Sequence, residues 1–384
     1  MNVQLQSINN YNKPLSYSYC EELRAQKQNI MNKKLKPLLV SIWLLSSTFI
    51  YGVPGFSGAG TLADPYQITT AAELATLATN VNGGTSYEGS YFKLMNDISL
   101  STYPNWTPIG KVTDLSLGTG TPFSGNFNGN NFTISGLTIA VSATTTQIGF
   151  GLFGYVSATG TVSNLNVSGV SITISINKKY VGGLAGANQG TVDSCSSSGA
   201  INNSNIMAES IGGLVGENYG ITSMVKNSHS SVNVTGGSYA GGLVGINYGT
   251  IDSCYAIGTI NGIGTLGGLL GQNASTSATG LGVVKNSHAT GNVTGTGIVS
   301  DNIGGLIGRN RFEGTHSTVG YIENCYATGA ASGAGNCIGG FIGRISANNA
   351  GTTGGGYIKD CHAAGNIAWL QRNPSNPALP GNFR

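Results

Sequence analysis

Six segments of the chain share one pattern of apolar and polar positions, and they align with one another without gaps. The pattern is clearest in Ile251–Gly258, which reads Ile-Asp-Ser-Cys-Tyr-Ala-Ile-Gly. Alternation of apolar and polar side chains is typical of a short β-strand with one buried face, and glycine marks the turn that follows. The six segments begin at Val192, Val225, Ile251, Val284, Ile322 and Ile358.

A glycine-rich hexapeptide precedes every one of these segments. Its copies are Val181–Gly186, Ile211–Gly216, Ala240–Gly245, Leu266–Gly271, Ile303–Gly308 and Ile338–Gly343, with Gly149–Gly154 as a degenerate first copy. The two motifs together define units of 26 to 38 residues. Self-similarity at this period predicts a solenoid, in which each unit forms one coil and equivalent strands of successive coils pair about 4.8 Å apart. A β-propeller is the alternative, but its blades need roughly 40 or more residues.

Stacking of the coils turns every aligned position into a column that runs along the solenoid. The column after the first apolar residue alternates in sign, so opposite charges on neighbouring coils fix the register. Two positions later the side chains are small or apolar, which predicts an inward column. The charged column holds Asp193, Lys226, Asp252, Lys285, Glu323 and Lys359. The inward column holds Cys195, Ser228, Cys254, Ser287, Cys325 and Cys361, with Leu165 in the degenerate copy.

The column that follows the inward one faces solvent by alternation. It begins with Ser196, and all its later members carry rings. These five side chains, which we call the ring stripe, are His229, Tyr255, His288, Tyr326 and His362. The sequence predicts that the ring stripe is a contact surface for a glycan or a protein. The hexapeptide is less informative. Its apolar residues do not alternate with a period of two, so the sequence does not tell which of its faces is buried.

The repeated motifs resemble a known family. A Gly-Gly-Leu-Val-Gly core with a following Asn-x-Gly and Cys-Tyr-Ala-x-Gly is similar to the GLUG motif, and Gly241–Gly258 is the clearest copy. The resemblance covers about residues 149–368, and Gly60–Ile139 resembles the segment that often precedes such repeats. It implies a secreted or surface protein of bacteria with an adhesin-like role. Related repeats accompany immunoglobulin-cleaving metallopeptidases, but this chain contains no His-Glu-x-x-His, so that activity does not carry over.

The first 59 residues read as a leader. A basic start at Met31, an apolar run from Pro37 to Tyr51 and then small residues predict a signal peptide over residues 31–59. The apolar run is shorter than the ~20 residues of a spanning helix, and a membrane anchor is the alternative. We expect translation to begin at Met31, so that residues 1–30 are an upstream extension, and we expect no membrane span in the mature chain.

The segment from residue 60 to 148 is expected to cap the solenoid and to form its first coils. Thr70 and Glu73 form a capping box, and Ala71–Val81 is rich in helix formers. A short helix here would cover the open end of the stack. Strands are predicted at Tyr91–Leu94, Phe132–Ile134 and Leu137–Val141. At the other end, residues 369–384 form a proline-rich tail, whose segment Asn373–Pro380 cannot continue strand pairing.

Charge excludes a nucleic-acid partner. Six basic and two acidic residues precede residue 52, which leaves twelve basic and thirteen acidic residues beyond it. The overall charge of +3 therefore belongs to the leader, and no basic stripe of the kind that binds phosphates is visible. We expect no cofactor either. Gly262–Gly267 and Gly149–Gly154 match a dinucleotide fingerprint, but neither opens a βαβ unit.

No arrangement of residues predicts catalysis or a metal site. His229 and His288 lie two coils apart, roughly 9–10 Å, which is too far for shared zinc ligation. Asp193 and Asp252 are also two coils apart, near the spacing of an inverting glycosidase, but Lys226 lies between them. Cys325 and Cys361 occupy adjacent coils of the inward column, where the geometry allows a disulfide, but we expect buried free thiols, because a cysteine column packs well as small apolar groups.

The sequence therefore predicts an all-β fold, a right-handed parallel β-helix or solenoid over residues 149–368 with a short helical cap at its N-terminal side. The expected function is a secreted or cell-surface, non-catalytic repeat protein that acts as an adhesin-like binding module or spacer. Its expected partner is a host or cell-surface glycan or protein. Two alternatives stay open, a polysaccharide-degrading β-helix lyase or hydrolase and the non-catalytic repeat part of a larger surface peptidase.

Overall fold

The computed structural model describes residues 55–369, apart from 117, 142–145, 178, 205–208, 277–281, 298–301, 314–320 and 348–356. The upstream extension, most of the predicted signal peptide and nearly all of the proline-rich tail lie outside the described residues. Within them the chain is a parallel β-solenoid with one helix. No described helix is long and apolar enough to cross a membrane.

Four parallel sheets run along the solenoid, and each coil contributes strands to them in turn. Sheet 1 has ten strands, which are Tyr66–Ile68, Tyr91–Leu94, Asn126–Asn128, Thr161–Ser163, Thr191–Asp193, Met224–Lys226, Thr250–Asp252, Val283–Lys285, Tyr321–Glu323 and Tyr357–Lys359. Sheet 2 has fourteen, which are Ile98–Ser99, Thr133–Ser135, Thr138–Val141, Asn166–Ile174, Ser196–Asn203, His229–Thr235, Tyr255–Ala256, Ile260–Gly262, His288–Ala289, Val293–Gly295, Tyr326–Ala327, Ala331–Gly333, His362–Ala363 and Ile367–Trp369.

Sheets 3 and 4 are built from the glycine-rich hexapeptide and the residues beside it. Sheet 3 has seven strands, which are Gly149–Phe150, Tyr180–Gly182, Ser210–Gly212, Tyr239–Gly241, Thr265–Gly267, Asn302–Gly304 and Cys337–Gly339. Sheet 4 also has seven, which are Phe153–Val156, Ala185–Asn188, Val215–Asn218, Val244–Asn247, Leu270–Thr276, Ile307–Glu313 and Ile342–Ala347. Sheet 4 strands are longer in the last three coils, with 7, 7 and 6 residues, and Ala274 pairs there with Arg311.

The register of sheets 1 and 2 confirms the predicted alignment. Val192 pairs with Val225, Val225 with Ile251, and so on to Ile358. From Val162 to Ile322 the apolar member at the middle of each sheet 1 strand points inward and is fully buried, as Val225 and Ile251 illustrate. Equivalent side chains therefore lie directly above one another, so the column interpretation of the sequence is correct.

The hexapeptide has no alternating pattern because both of its sides are buried. Sheets 3 and 4 meet at a sharp corner where their backbones touch. A Cβ at Gly212 would lie 1.9 Å from the Val215 carbonyl oxygen, and one at Gly216 would lie 2.4 Å from the Val181 nitrogen. Only glycine fits such a close approach. Leu214, between the two strands, fills the core at the corner with none of its surface exposed.

The predicted cap is present at the N-terminal side. Helix α1 spans Ala71–Asn82, and Thr70 and Glu73 form the capping box. Leu74, Leu77, Ala78 and Val81 are buried, which is the apolar face expected from the sequence. An edge-to-face cluster of rings packs near the same end of sheet 1, and its members are Phe56, Tyr66, Tyr87, Phe92 and Phe123. The three predicted strands of this region lie within one residue of their predicted bounds.

An antiparallel hairpin interrupts the parallel stack after the first coils. Its strands are Lys111–Asp114 and Thr119–Thr121. Val112 and Leu115 of the hairpin are buried against Tyr155, Tyr180 and Ala187 of sheets 3 and 4. The hairpin therefore lies against the outer side of the corner between these two sheets.

Candidate functional site

The ring stripe forms one continuous stack on the outside of sheet 2. Its members pair in register from His229 to His362. Ring centroids lie 4.6 Å apart for His229 and Tyr255, 5.2 Å for Tyr255 and His288, 4.5 Å for His288 and Tyr326, and 5.4 Å for Tyr326 and His362. Neighbouring planes deviate from parallel by only 3 to 10°. The ring faces therefore cover one another.

This stacking decides which atoms the ring stripe offers to a partner. Because the faces are occupied within the stack, the phenol oxygens and imidazole nitrogens at the ring edges are the groups left for outside contact. The first four rings are half-buried and His362 is exposed. Burial lowers the pKa of His229 and His288 below the ordinary value, which favours neutral rings at neutral pH. The ring stripe thus offers a row of hydrogen-bonding edges, with neutral imidazoles at His229 and His288.

The same geometry bears on metal binding by the histidines. Tyr255 lies between His229 and His288 in the stack, so the two imidazoles cannot converge on one ion. Within the described part of the chain, no group of three or more His, Cys, Asp or Glu side chains is placed to hold a metal.

The charged column forms ion pairs in twos along the solenoid. Lys226 Nζ lies 3.3 Å from Asp193, Lys285 Nζ 3.2 Å from Asp252, and Lys359 Nζ 3.2 Å from Glu323. Burial alone would raise the pKa of Asp252, but hydrogen bonds from Asn286, Lys285 and Ser253 hold that pKa below its ordinary value. The two aspartates weighed as a catalytic pair are therefore engaged in structural contacts.

The inward column lies beside these ion pairs, and from Cys195 to Cys325 it alternates between cysteine and serine from one coil to the next. Ser228 Oγ accepts a hydrogen bond from the Cys195 amide at 3.0 Å, and Ser287 Oγ accepts one from the Cys254 amide at 3.1 Å. The five described cysteines are all free thiols, Cys325 and Cys361 among them. Burial raises the pKa of Cys195, Cys254 and Cys325 to about 12, so these thiols stay protonated and inert.

A ladder of buried asparagines, which the sequence patterns did not lead us to predict, runs along sheet 4. Each side-chain amide donates to the side-chain oxygen of the next coil, at 2.8, 2.8, 2.9 and 3.0 Å. All of its members are completely buried. They are Asn188, Asn218, Asn247, Asn273 and Asn310. The repeated Asn-x-Gly was the available signal, because an asparagine at one offset in successive coils must stack on itself.

A groove between the outer faces of sheets 3 and 4 was also missed. Glu217, Ile246 and Gln272 occupy one outward column of sheet 4 and line it. Four tyrosines line it as well, and we call it the tyrosine groove. They are Tyr180, Tyr219, Tyr239 and Tyr248. Its volume is about 420 Å³. The sheet 4 column gives no periodic signal, because its chemistry varies from coil to coil, although Tyr219 and Tyr248 share the middle position of the repeated Asn-x-Gly.

Comparisons with known proteins agree with these repeats. The model of the GLUG motif matches residues 179–202, 207–235 and 236–261. These three matches correspond to successive coils of the solenoid, each with its sheet 3 corner and its sheet 4 strand.

Two curated relatives share part of the chain. A protein of Evansella cellulosilytica, provisionally named a Gly-rich membrane protein, is 42% identical over 195 residues, which is 50% of this chain and 21% of the relative. Halomucin of Haloquadratum walsbyi is 31% identical over 123 residues, which is 30% of this chain and 1% of that protein. The chain thus corresponds to a small fraction of both relatives.

A solved structure shares the fold. It is the crystal structure of a protein of Bacteroides ovatus, provisionally described as an immunoglobulin A1 protease, with 20% identity and a TM-score of 0.50 over 81% of this chain and 86% of that one. At this identity the likeness concerns the fold alone. The repeats, the solenoid and the names of the relatives together fit a surface repeat protein. The chain is a parallel β-solenoid that carries the GLUG motif in successive coils.

Proposed function

We propose that this chain is a secreted or cell-surface, non-catalytic repeat protein that acts as an adhesin-like binding module, with the ring stripe as its contact surface. The observation that carries the proposal is the unbroken stack from His229 to His362. A structural column needs only small or apolar side chains, as the inward column illustrates. Five aromatic and imidazole rings on a solvent-facing column instead present a row of hydrogen-bonding edges, which packing of the coils alone does not require.

The form of the stripe suits an extended partner. Hydrogen-bonding edges repeat at each coil, about 4.8 Å apart, so a chain molecule lying along the solenoid would meet a regular row of donors and acceptors. The rings are held by mutual stacking, which reduces the side-chain entropy lost on binding. The ion pairs beside them keep neighbouring coils in register, so the row is ordered before the partner arrives.

Location at the cell surface rests on two supports. The leader predicted over residues 31–59 directs export, and one relative is named a membrane protein. The members of the charged column, which lies beside the ring stripe, are paired with one another, which leaves recognition by the stripe to uncharged groups.

The test is a glycan array and a cell-adherence assay with the purified chain and a variant in which all five ring-stripe residues are replaced by serine. Serine fits this column, since Ser196 occupies it in the first aligned coil. We expect the wild type to bind and the variant to lose at least tenfold in affinity, because several edge contacts are removed together. Circular dichroism checks that the variant keeps its β structure.

A matched control changes another outward column of the same sheet. Asn261→Ala and Thr294→Ala alter polar positions that pair with each other in sheet 2, away from the rings. This control should bind as the wild type does. If the serine variant binds as tightly as the wild type, the ring stripe is not the contact surface. Release of reducing ends or unsaturated products from a polysaccharide panel would instead favour the lyase or hydrolase alternative.

A further inference from the structure

The tyrosine groove contains a buried acceptor without a donor. Gln272 is only 2% exposed, and its Oε1 has no hydrogen-bond partner among the described residues. An unsatisfied buried polar atom costs about 1–3 kcal/mol, so such atoms in native proteins call for an explanation. A ligand that donates a hydrogen bond in the groove would satisfy Gln272.

Glu217 supplies a second polar contact in the same column. It is 6% exposed, and its Oε2 accepts a hydrogen bond from Ser210 Oγ at 2.8 Å. Burial, together with the charge of Glu209, raises the pKa of Glu217 to about 7. Both protonation states are therefore populated at neutral pH, and the carboxyl group can donate to a hydroxyl or accept from one.

The spacing of these two residues defines the length of the ligand. Glu217 pairs with Ile246, and Ile246 pairs with Gln272, so two coils separate the polar residues. At about 4.8 Å for each coil, their backbones lie roughly 9–10 Å apart. Ile246 provides an apolar surface between them. The column thus alternates polar, apolar and polar along the solenoid axis.

The remaining lining indicates an uncharged ligand with apolar faces. Tyr219 and Tyr248 meet edge to face, with centroids 5.4 Å apart, in contrast to the face-to-face stack of the ring stripe. The acidic lining residues Asp114, Glu209 and Glu217 are nearly balanced by Lys179 and Arg311. A volume of about 420 Å³ lies within the usual range for small-molecule sites, roughly 300–1,000 Å³.

We propose that the tyrosine groove binds a linear neutral oligosaccharide whose consecutive sugar units lie along the column from Glu217 to Gln272. Sugar rings combine apolar C–H faces, which suit tyrosine and Ile246, with hydroxyl groups that donate to Gln272 Oε1 and exchange hydrogen bonds with Glu217. The site lies on sheets 3 and 4, whereas the ring stripe belongs to sheet 2, so it is separate from the proposed adhesin surface.

Isothermal titration calorimetry of the full chain with cellotriose, laminaritriose, maltotriose and chitotriose tests the proposal. We expect one of these trisaccharides to bind, and Gln272→Met to weaken that binding about tenfold, since methionine keeps the side-chain length but removes the acceptor. Gln67→Met in sheet 1 is the matched control and should leave the affinity unchanged.

Independent variants separate this site from the proposed function. The ring-stripe serine variant should bind the trisaccharide with wild-type affinity; loss of binding there would assign the sugar to the ring stripe and overturn the proposal. The proposal also fails if millimolar concentrations of all four sugars give no heat, if spermidine binds in their place, or if folded Gln272→Met binds as tightly as the wild type.

Discussion

Asn218 lies in the middle of the buried asparagine ladder, where every amide serves two coils at once. It accepts from Asn188 and donates to Asn247, both at 2.8 Å. The ladder continues to Asn310, whose Nδ2 has no partner among the described residues because the next coil places Ile345 at this position. A polar row in an apolar core is stable only while each member finds its neighbour.

Replacement of Asn218 by alanine should therefore cost more than one ordinary hydrogen bond. We expect a loss of about 2 kcal/mol in the free energy of unfolding, because the amide of Asn188 and the oxygen of Asn247 each lose a partner inside the core. Urea denaturation measures this loss. Asn261→Ala, on an outward position of sheet 2, should change stability by less than about 0.5 kcal/mol. Equal effects of the two substitutions would contradict a structural role for the ladder.

Glu217 should make stability depend on pH in a defined direction. Its pKa rises from 4.5 to about 7 on folding, so the native state holds the proton more tightly than the unfolded chain. The stabilisation is complete below pH 4.5 and is lost as the pH rises through 7, by about 3 kcal/mol in all. Glu217→Gln should remove this loss. If the free energies of unfolding of the wild type and of Glu217→Gln change in parallel between pH 4.5 and 8, the Glu217 carboxyl group has an ordinary pKa and the prediction is wrong.

Among the elements, the turn from sheet 1 to sheet 2 is the most uniform. In each coil one residue other than glycine adopts a positive φ, for example 49° at Asn227, 56° at Ser253 and 51° at Asn286. Asn286 donates to Asp252 at 2.9 Å, so the turn also connects neighbouring coils. Asparagine tolerates this backbone region better than most residues, whereas β-branched side chains clash in it.

Ser253→Val should accordingly destabilise the chain by about 1–2 kcal/mol, through steric strain at the turn. Ser253→Asn introduces the residue found at the same position in the coils above and below and should be nearly neutral. Thermal unfolding followed by circular dichroism gives both values. If valine and asparagine behave alike, the positive φ is not maintained in solution.

Sheets 1 and 2 were predictable because their chemistry repeats in phase. Asp252 and Lys285 indicated a charged column, and Ile251 and Cys254 an inward one, from alternation alone. Sheets 3 and 4 were harder to predict. Both sides of their strands are buried at the corner around Gly212 and Gly216, so apolar and polar residues do not alternate there. The polar lining of the tyrosine groove includes Glu217, but the neighbouring coils have alanine and isoleucine at this position. No column pattern therefore marked Glu217 as a site residue.

At the scale of the whole molecule, the two ends of the described solenoid differ. The N-terminal side has helix α1 with its buried face, whereas apolar residues of the last described coil are open to solvent. Ile358 is 39% exposed, although its equivalents Ile251 and Ile322 are fully buried.

Amide hydrogen exchange should therefore be graded along the solenoid. We expect slow exchange at Thr250–Gly262, whose strands are largely buried, and faster exchange at Tyr357–Ala363, whose strands are exposed, because opening exposed strands disrupts fewer buried contacts. Mass spectrometry of peptic fragments resolves the two regions. Uniform protection would instead indicate that all coils open together as one cooperative unit.

The pairing of coils by Asp193 with Lys226 and Asp252 with Lys285 has a consequence for how such a rod can change length. Removal of one internal coil, or duplication of one, would bring two carboxylates or two ammonium groups face to face and would place two histidines or two tyrosines against each other. Removal or duplication of two consecutive coils preserves the alternation in both columns. Growth and shortening of the array by recombination should therefore favour even steps, with the coil pair as the heritable unit.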